Sequence, residues 1–451
     1  MFFDINASLL NRQRKNLKAS DFSSILSADI VTEELRKLNL SFRTRIFTPF
    51  VTLYTFLAQV INDDRSCRKV LLELSAISKL LSRVRPSINS GSYVKAKARL
   101  PLALIKSLVR RLGTNLQETR VWRHGRVLVV DGTGVSMPET MTNLKVFPHH
   151  SGKDFGFPVA RILAVFSLST GAMIDMIVGP WKGKGTGELT LLKKLWHVVK
   201  SGDTLVGDSL FSSFSVIAGV LQNDCHLVSE FRISRCWRLN SRIGDQIIEI
   251  EKPAKRPDYI SESEFKDWPQ KVRVRIVKLV CAPKGFRPKV KYILTTHLDK
   301  DVVSSAEILD LYRRRWQVEL NLRSIKTVLG MDILTGKSPE MAVKEIWMFF
   351  LAYNLIREKM VEAAIIKDTP VQMISFRSTH QMMNIIKFAN SFGKLNQPGL
   401  NHDFLKLIGT QVVGKRPNRY EPRVIKRRKK NFTLLSVARS VAKKKLYKKW
   451  K

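Results

Sequence analysis

The chain has 451 residues, of which 78 are Lys or Arg and 38 are Asp or Glu, so its formal net charge is +40. A positive charge of this size argues for a polyanionic partner, and nucleic acid is the commonest one. The basic residues are spread over the whole chain, and the longest apolar run, residues 46–61, is too short to span a bilayer, so a membrane protein is not expected. The start, MFFDINASLL, has no basic leader followed by a cleavage site, and we expect a cytoplasmic protein.

The N-terminal part of the chain, residues 1–118, has the pattern of a helical region. Apolar residues recur at helical spacing in TEELRKLNL, TPFVTLYTFLAQVI, SCRKVLLELSAISKLL and LALIKSLVRRLG. Breaks between these helices are predicted at residues 62–64 and near Pro86. Basic residues such as Arg65 and Lys97 lie along the region, and for any single one of them a solvated helix surface is the simpler explanation.

Residues 119–233 change to short apolar strands that alternate with helices. One buried strand is predicted where GRVLVVDGTGVSM reaches Asp131, and another where DTLVGDSLF reaches Asp208. A hairpin is predicted over ARILAVFSLST and AMIDMIVGP, helices over GELTLLKKLWHVV and SVIAGVLQN, and a strand over HLVSEFRI. This alternation predicts an α/β sheet covered by helices.

The remainder of the chain divides into three segments. Residues 234–290 contain KVRVRIVKLV, in which bases and hydrophobes alternate, and this predicts a β-rich insertion with one strongly basic face. Residues 291–392 resume the α/β domain, because KYILTTHLD predicts a buried strand and EIWMFFLAYNLIREKM a core helix. Residues 393–451 become dominated by Lys and Arg, with KRRKK at 426–430, which is typical of a tail that contacts nucleic acid.

The most informative residues are Tyr312, Arg315, Glu319 and Lys326, at offsets of three, seven and fourteen in AEILDLYRRRWQVELNLRSIKTVLG. The segment is predicted to be one helix, and at about 100° per residue the four side chains fall within about 60° of one another. One stripe therefore presents a carboxylate together with two bases and a phenol. Taken alone, this stripe is more simply a solvated row of salt bridges.

Asp131, Asp208 and Glu319 together change that interpretation. Alone, Asp131 in an Asp-Gly pair is a common turn residue, and Asp208 is equally well explained as a helix N-cap. Three carboxylates from separate elements of one α/β domain, in a chain of charge +40, are most economically explained as ligands of divalent metal ions that act on phosphates. Oxygen ligands suit Mg²⁺ or Mn²⁺, and two such ions about 4 Å apart can activate a nucleophile and stabilise the leaving oxygen. Glu188 is more simply explained by the first turn of its helix than by the metals.

The spacing of the four helix residues matches a known signature, Y-(2)-R-(3)-E-(6)-K. On this match the chain resembles the bacterial insertion-sequence transposases of the DDE class, of the cut-and-paste group. The resemblance covers nearly the whole chain. The first-aspartate strand of that family is similar to VVDGTGVSMPET, its second to LVGDSLFSSF, and its glutamate helix to RWQVELNLRSIKTVLGMDIL.

The resemblance implies a domain organisation for the chain. Residues 119–233 and 291–392 would form a ribonuclease-H-like catalytic core, which residues 234–290 interrupt as a β-rich insertion. Residues 1–118 would form a helical DNA-binding region, and residues 393–451 a basic C-terminal region.

The resemblance also implies the chemistry. Asp131, Asp208 and Glu319 would be the catalytic metal ligands, with Mg²⁺ as the cofactor and Mn²⁺ as a substitute. The enzyme would bind the terminal inverted repeats of its element on double-stranded DNA, as a homodimer in the bacterial cytoplasm at the nucleoid. It would free a 3′-hydroxyl at each end and join it to target DNA.

Further roles follow from the same resemblance. Arg315 and Lys326 would clamp phosphates, and Tyr312 would donate a hydrogen bond to one. Trp268 would be a platform for a flipped base, with Trp237 as the second choice, although an indole in a β-rich segment is more often part of a core. Two other functions stay open: a metal-dependent endonuclease or resolvase on the same fold, and a transposase-derived DNA-binding protein without chemistry. The complete acidic triad argues against the last.

Overall fold

The computed structural model is a mixed α/β protein organised around an eight-stranded sheet. It describes residues 3–4, 26–42, 45–80, 86–116, 121–149, 156–232, 244–281, 289–391, 400–413, 437 and 439–449. Trp237 and the basic run at 426–430 lie outside the described residues. Within the described ranges, no helix is long and apolar enough to cross a membrane.

The strands form two sheets. In chain order the described strands are β1 (Phe3–Asp4), β2 (Val121–Trp122), β3 (Val127–Ser136), β4 (Val159–Ser167), β5 (Met173–Pro180), β6 (Thr204–Gly207), β7 (His226–Phe231), β8 (Asp245–Glu251), β9 (Lys271–Cys281) and β10 (Lys289–Thr295). β1 pairs with β2, and the other strands form the main sheet in the order β5-β4-β3-β6-β7-β10-β9-β8. β3, β6 and β7 are parallel neighbours, whereas every other adjacent pair of the main sheet is antiparallel.

The strands predicted in residues 119–233 are present, with one difference at β3. β3 continues five residues beyond Asp131, to Ser136, so Asp131 lies inside a strand and the turn alternative is wrong. β6 is buried along its whole length, and apolar clusters cover both faces of the sheet. Burial on both faces explains why these strands have continuous apolar sequences without alternation.

The predicted β-rich insertion extends the main sheet. β9 lies between β10 and β8, so this segment adds strands to the edge beyond β7. The prediction of one strongly basic face holds only in part. Lys271 and Arg273 are exposed, but Arg275 is fully buried, and Val277 and Leu279 on the same face belong to the core. The reason is that a helix packs over this part of β9 and removes its face from solvent.

The helices form layers on the sheet. In chain order the described helices are α1 (Ala28–Lys37), α2 (Pro49–Ile61), α3 (Cys67–Leu80), α4 (Ser90–Arg99), α5 (Leu102–Asn115), α6 (Met141–Val146), α7 (Glu188–Lys193), α8 (Phe214–Gln222), α9 (Glu262–Asp267), α10 (Ser305–Arg314), α11 (Trp316–Arg323), α12 (Pro339–Lys367), α13 (Phe376–Ser391), α14 (Leu400–Thr410) and α15 (Arg439–Lys449). The helix that covers β9 is α10, which also lies against β7 and β10.

The long helix α12 joins the N-terminal helices to the sheet. It has 29 residues and is buried on nearly all sides, as predicted for a core helix. Its Asn354 side chain donates to the Met173 carbonyl oxygen at 2.8 Å and accepts from the Met173 N–H at 2.9 Å, which holds β5. α5 reaches the same strand at Gly113, where a Cβ atom would lie 2.3 Å from the Met173 carbonyl oxygen, so glycine is required there. The N-terminal helices α1, α2 and α5 therefore share one apolar core with the sheet.

The segment predicted as one signature helix is divided into three helical elements. α10 carries Tyr312, α11 carries Glu319, and the π-helical segment Ser324–Val328 carries Lys326. Arg315 joins the first two, and its N–H donates to the Tyr312 carbonyl oxygen at 3.0 Å, a tighter turn than that of an α-helix. The side-chain angles that the sequence predicts for a single straight helix therefore do not apply at the joints.

The start of α10 is fixed by Glu307. Ser304 is the N-cap, and its N–H donates to the Glu307 carboxylate at 3.0 Å, which closes a capping box. Arg123 Nε and His124 Nε2 lie 2.6 and 3.1 Å from Glu307 Oε1. Burial would raise the pKa of Glu307, but the hydrogen bonds from Ser304, Arg123 and His124 outweigh it and bring the pKa to about 2. These bonds tie α10 to the residues that precede β3.

Glu307→Gln should therefore destabilise the protein at neutral pH by about 2 kcal/mol, because the bonds to a charged acceptor are lost. The pKa of Glu307 is lower in the folded chain than its ordinary 4.5, so its contribution is present above about pH 4.5 and is lost as the pH falls toward about 2. Thermal unfolding of the parent and of Glu307→Gln from about pH 7 to about pH 3 should show a difference in Tm between the two proteins that becomes smaller on acidification. Glu262→Gln, which alters an exposed ion pair with Lys266, is the control, and its Tm should equal that of the parent at each pH. A difference in Tm between Glu307→Gln and the parent that does not change with pH would contradict a stabilising role of the ionised Glu307 carboxylate.

Candidate active site

Three parallel strands of the sheet carry the same short pattern. β3 and β7 each contain Leu-Val, one further residue and then an acid, which is Asp131 in β3 and Glu230 in β7. The same pattern in β6 is completed by Asp208, the residue directly after the strand. The leucines of the three strands are paired in register with one another. Three residues further along, Asp131, Asp208 and Glu230 therefore occupy one row across strands that lie about 4.8 Å apart. The sheet brings together the two aspartates predicted from sequence and adds an acid that the sequence analysis missed.

Asp131 is a half-buried carboxylate near the middle of the sheet. Its Oδ1 accepts a hydrogen bond from the Gly132 N–H at 2.8 Å. Burial raises the pKa of Asp131 to about 6, and the negative charges of Asp208 and Glu188 act in the same direction, while the Gly132 bond and Arg315 oppose them. The negative charge of ionised Asp131 is thus only partly balanced by the neighbouring protein groups. Such a site favours the binding of a cation.

Asp208 directly follows β6. Its Oδ1 accepts a hydrogen bond from the Leu210 N–H at 2.8 Å, which forms a short turn toward α8. α8 begins at Phe214 with Ser213 as its N-cap, so the alternative of Asp208 as the cap of this helix is wrong.

Glu319 reaches the site through Arg315. α11, which carries Glu319, packs on β3. Arg315 Nη2 donates to Glu319 Oε1 at 2.8 Å, and the same guanidinium is close enough to Asp131 to lower its pKa. Glu319 is therefore linked to Asp131 by a shared cation. Among the residues that the structure describes, no three Asp, Glu, His or Cys side chains are close enough to form a metal centre.

Tyr312 and Lys326 both have partners within the chain. Tyr312 is 6% exposed, and its hydroxyl donates to Glu230 Oε2 at 2.7 Å. Burial and the Glu230 carboxylate raise the pKa of Tyr312, so the phenol stays a hydrogen-bond donor. Lys326 Nζ donates to the Gly134 carbonyl oxygen on β3 at 2.9 Å. Both groups that the signature assigns to phosphate thus lie beside the acidic row, each held by an internal acceptor.

Glu188 lies closer to the site than the sequence analysis allowed. A Cβ atom on Gly132 would lie 2.4 Å from Glu188 Oε1, so this carboxylate occupies the space that the missing side chain leaves. Burial raises the pKa of Glu188, Arg161 opposes this, and Asp208 adds to it. The Asp-Gly pair at 131–132 is the sequence feature that permits this position of Glu188, because a residue with a Cβ atom at 132 would exclude its carboxylate.

Trp268 lies away from the acidic row. Its indole is 3% exposed and packs against Phe214 and Phe265, with ring centroids 5.5 and 5.3 Å apart. These contacts belong to the apolar cluster on one face of the sheet. Val129, two residues before Asp131 on β3 and so on the same face as Asp131, belongs to the cluster on the other face. The core alternative describes the environment of the indole in this structure, and its role as a platform for a flipped base stays a prediction.

The row of acids and the glutamate helix define a class of protein, and the comparisons with known proteins agree. The family described as "Transposase DDE domain" matches residues 122–355, more than half of the chain, and the chain belongs to this family. It is therefore a transposase, an enzyme that acts on mobile DNA elements.

Relatives indicate the kind of element. The chain is 27% identical over 363 residues to "Transposase InsG for insertion sequence element IS4" from Escherichia coli (strain K12), which covers 76% of this chain and 78% of that protein. A shorter similarity, 41% over 64 residues, relates it to "Putative transposase InsL for insertion sequence element IS186A" from Escherichia coli (strain K12) and to "Transposase for insertion sequence element IS421" from Escherichia coli. Each of these covers 14% of this chain and 17% of the relative. The chain is an insertion-sequence DDE transposase.

Transposases of this family depend on divalent metal ions, and the residues here suit such an ion. The donor set of Asp131 and Asp208 is carboxylate oxygen alone, which Mg²⁺ and Mn²⁺ prefer over nitrogen or sulfur. The two carboxylates and Glu188 repel one another, and a divalent cation would relieve that repulsion. The chemistry of the donor set therefore fits the metal that the family requires.

Proposed function

We propose that this chain binds the terminal inverted repeats of its own insertion sequence, cleaves the DNA there, and joins the freed 3′-hydroxyl ends to target DNA in a cut-and-paste reaction. The observation that carries the proposal is the row formed by Asp131 and Asp208 beside the Arg315–Glu319 ion pair. The row offers carboxylates for metal ions, and the ion pair offers a guanidinium for a phosphate, near the middle of the sheet.

Asp131, Asp208 and Glu319 are the proposed metal ligands and catalytic residues. Bound Mg²⁺, or Mn²⁺ in its place, would activate the attacking oxygen and stabilise the leaving one. The ion pair with Arg315 ties the Glu319 carboxylate to a guanidinium that also lies close to Asp131, and α11 packs on β3. Arg315 holds the glutamate in place and presents positive charge beside Asp131.

Arg315, Lys326 and Tyr312 are the proposed phosphate contacts. A guanidinium has five N–H donors, so Arg315 can keep Glu319 and still donate to a phosphate. The Lys326 ammonium donates to the Gly134 carbonyl oxygen on β3, the strand that also carries Asp131, and supplies a second cation. Tyr312 supplies a neutral donor, because its raised pKa keeps the phenol protonated. Together they would fix the scissile strand over the acidic row.

The strand order supports a ribonuclease-H-like catalytic core. In β5-β4-β3-β6-β7, an antiparallel trio is followed by two parallel strands. Asp131 lies on β3 and Asp208 directly follows β6, both in the inner part of this order. On this proposal residues 119–233 and 291–392 form the core, residues 1–118 form the DNA-binding region, and residues 393–451 are a basic C-terminal region. Two element ends require two active sites, so the protein would act as a homodimer on DNA, in the cytoplasm at the nucleoid.

A strand-transfer assay tests the proposal. The purified protein is incubated with Mg²⁺, a supercoiled plasmid and a labelled duplex that carries the inverted repeat flanking its gene. Labelled plasmid should appear, and EDTA should prevent it. Cut duplex without joined plasmid would favour an endonuclease or resolvase, and a bound but unaltered duplex would favour a DNA-binding protein without chemistry. Either of these results would reject the proposed strand transfer.

A further inference from the structure

Glu230 occupies the third place in the acidic row but is engaged by donors. Its Oε2 accepts a hydrogen bond from the Tyr312 hydroxyl at 2.7 Å and another from Lys291 Nζ at 2.7 Å. Two donors therefore meet at a single carboxylate oxygen, in the same row as Asp208 and one strand away from it. A negatively charged oxygen that receives a phenol and an ammonium group at this distance has the surroundings that a phosphate oxygen prefers.

Lys291 is placed so that it can serve the same ligand as Tyr312. Ile293 on β10 pairs with Glu230 on β7, and Lys291, two residues before Ile293, lies on the same face of the sheet. This is the face that α10 covers, since Ile293 belongs to the same apolar cluster as Tyr312. The side chains of Lys291 and Glu230 are 38% and 29% exposed, so a strand of DNA can reach both.

We propose that Lys291 is a further DNA-phosphate contact, and that Glu230 occupies the place of that phosphate until DNA binds. The proposal rests on the proposed function, because it takes Tyr312 to be a phosphate donor. On binding, the Tyr312 hydroxyl and the Lys291 ammonium exchange the carboxylate oxygen for a phosphate oxygen. Lys291 lies outside the signature, so the signature alone does not reveal it.

Glu230 then competes with DNA. Burial would raise its pKa, but the bonds from Lys291 and Tyr312 outweigh this and lower the pKa, so the carboxylate stays charged near neutral pH. An incoming phosphate must displace this carboxylate and tolerate its charge nearby. Removal of the Glu230 charge should therefore strengthen DNA binding. If Glu230 only held Tyr312 in position, its substitution would weaken DNA binding instead.

The test measures affinity for a duplex of about 30 base pairs that carries the terminal repeat, in EDTA and over a range of salt concentrations. Glu230→Gln should bind about tenfold more tightly at low salt, because an opposing charge is removed. Lys291→Gln should bind more weakly, with a salt slope shallower by about 0.9, the value for one lost phosphate contact. Lys271→Gln is the matched control, because Lys271 is exposed and pairs with Glu249 at 3.6 Å. It lies at the start of β9, away from Leu279, the β9 residue that pairs with Lys291. This control variant should leave the slope unchanged.

Equal or weaker binding by Glu230→Gln, or an unchanged slope for Lys291→Gln, would overturn the proposal. If Glu230→Gln does not fold, the slope of the surface variant Lys291→Gln decides alone. Binding in EDTA needs no metal and no chemistry. A parent protein that binds the duplex but joins no ends would therefore reject the proposed function, while the phosphate contact is still tested.

Discussion

Asp131→Asn, Asp208→Asn and Glu319→Gln should each reduce metal-dependent cleavage of the element ends by at least about 10³-fold. A metal ion supplies several kcal/mol of transition-state charge stabilisation, and about 1.4 kcal/mol corresponds to a factor of ten. Each change keeps the shape of the side chain and removes one anionic ligand. Affinity for the end duplex in EDTA should change by only a few fold, because none of the three is a proposed phosphate contact.

Two further measurements separate a metal ligand from a structural acid. The number of Mn²⁺ ions bound to the protein–DNA complex, counted by electron paramagnetic resonance, should fall in each variant. Thermal stability should not fall in Asp131→Asn, since the change relieves the repulsion among Asp131, Asp208 and Glu188. Asp403→Asn, at an exposed position on α14, is the control and should behave as the parent. Cleavage at the parental rate by any of the three variants would reject that residue as a ligand.

The sequence could predict the two aspartates because each directly follows a strongly apolar run of a strand. Such strands are buried on both faces, so an acid there is conspicuous. Glu230 follows the same Leu-Val-X-acid pattern but was not selected, because nothing in one strand indicates which other strands lie beside it. Only the register of β3, β6 and β7 aligns the three acids. The internal partners of Tyr312 and Lys326 could not be predicted for the same reason, since both bonds join distant parts of the chain.

The errors in the sequence analysis have a common physical origin. Alternation in β9 predicted a basic, solvated face, but α10 covers that face and buries Arg275. Trp268 is a candidate platform on the sequence because it is an aromatic residue of the predicted insertion, but the insertion extends the main sheet and the indole is buried in the core. A periodic pattern indicates which residues share a face. It does not indicate what covers that face.

The buried Arg275 holds the helix that carries Tyr312. Its Nε donates to Asp245 Oδ1 at 2.9 Å, and its Nη2 to Asp245 Oδ2 at 2.6 Å. Its Nη1 donates to the Val303 carbonyl oxygen at 2.5 Å, and the hydroxyl of Ser305, the first residue of α10, also donates to Asp245. One guanidinium thus joins β9, β8 and the start of α10. Loss of this group should therefore affect the fold and the position of α10 together.

Arg275→Met should lower the free energy of unfolding by about 3–5 kcal/mol, because Asp245 would keep its charge without a cationic partner at that position. Arg273→Met, at the exposed position two residues earlier on β9, should change it by no more than about 0.5 kcal/mol. The double variant Arg275→Met/Asp245→Asn should recover part of the loss, since the unpaired charge is then absent. Urea unfolding at neutral pH of the parent and the three variants distinguishes these outcomes. Equal effects of Arg275→Met and Arg273→Met would show that the Arg275–Asp245 pair does not stabilise the sheet. Because the pair also anchors α10, we expect the folded fraction of Arg275→Met to bind the end duplex more weakly than Arg273→Met does.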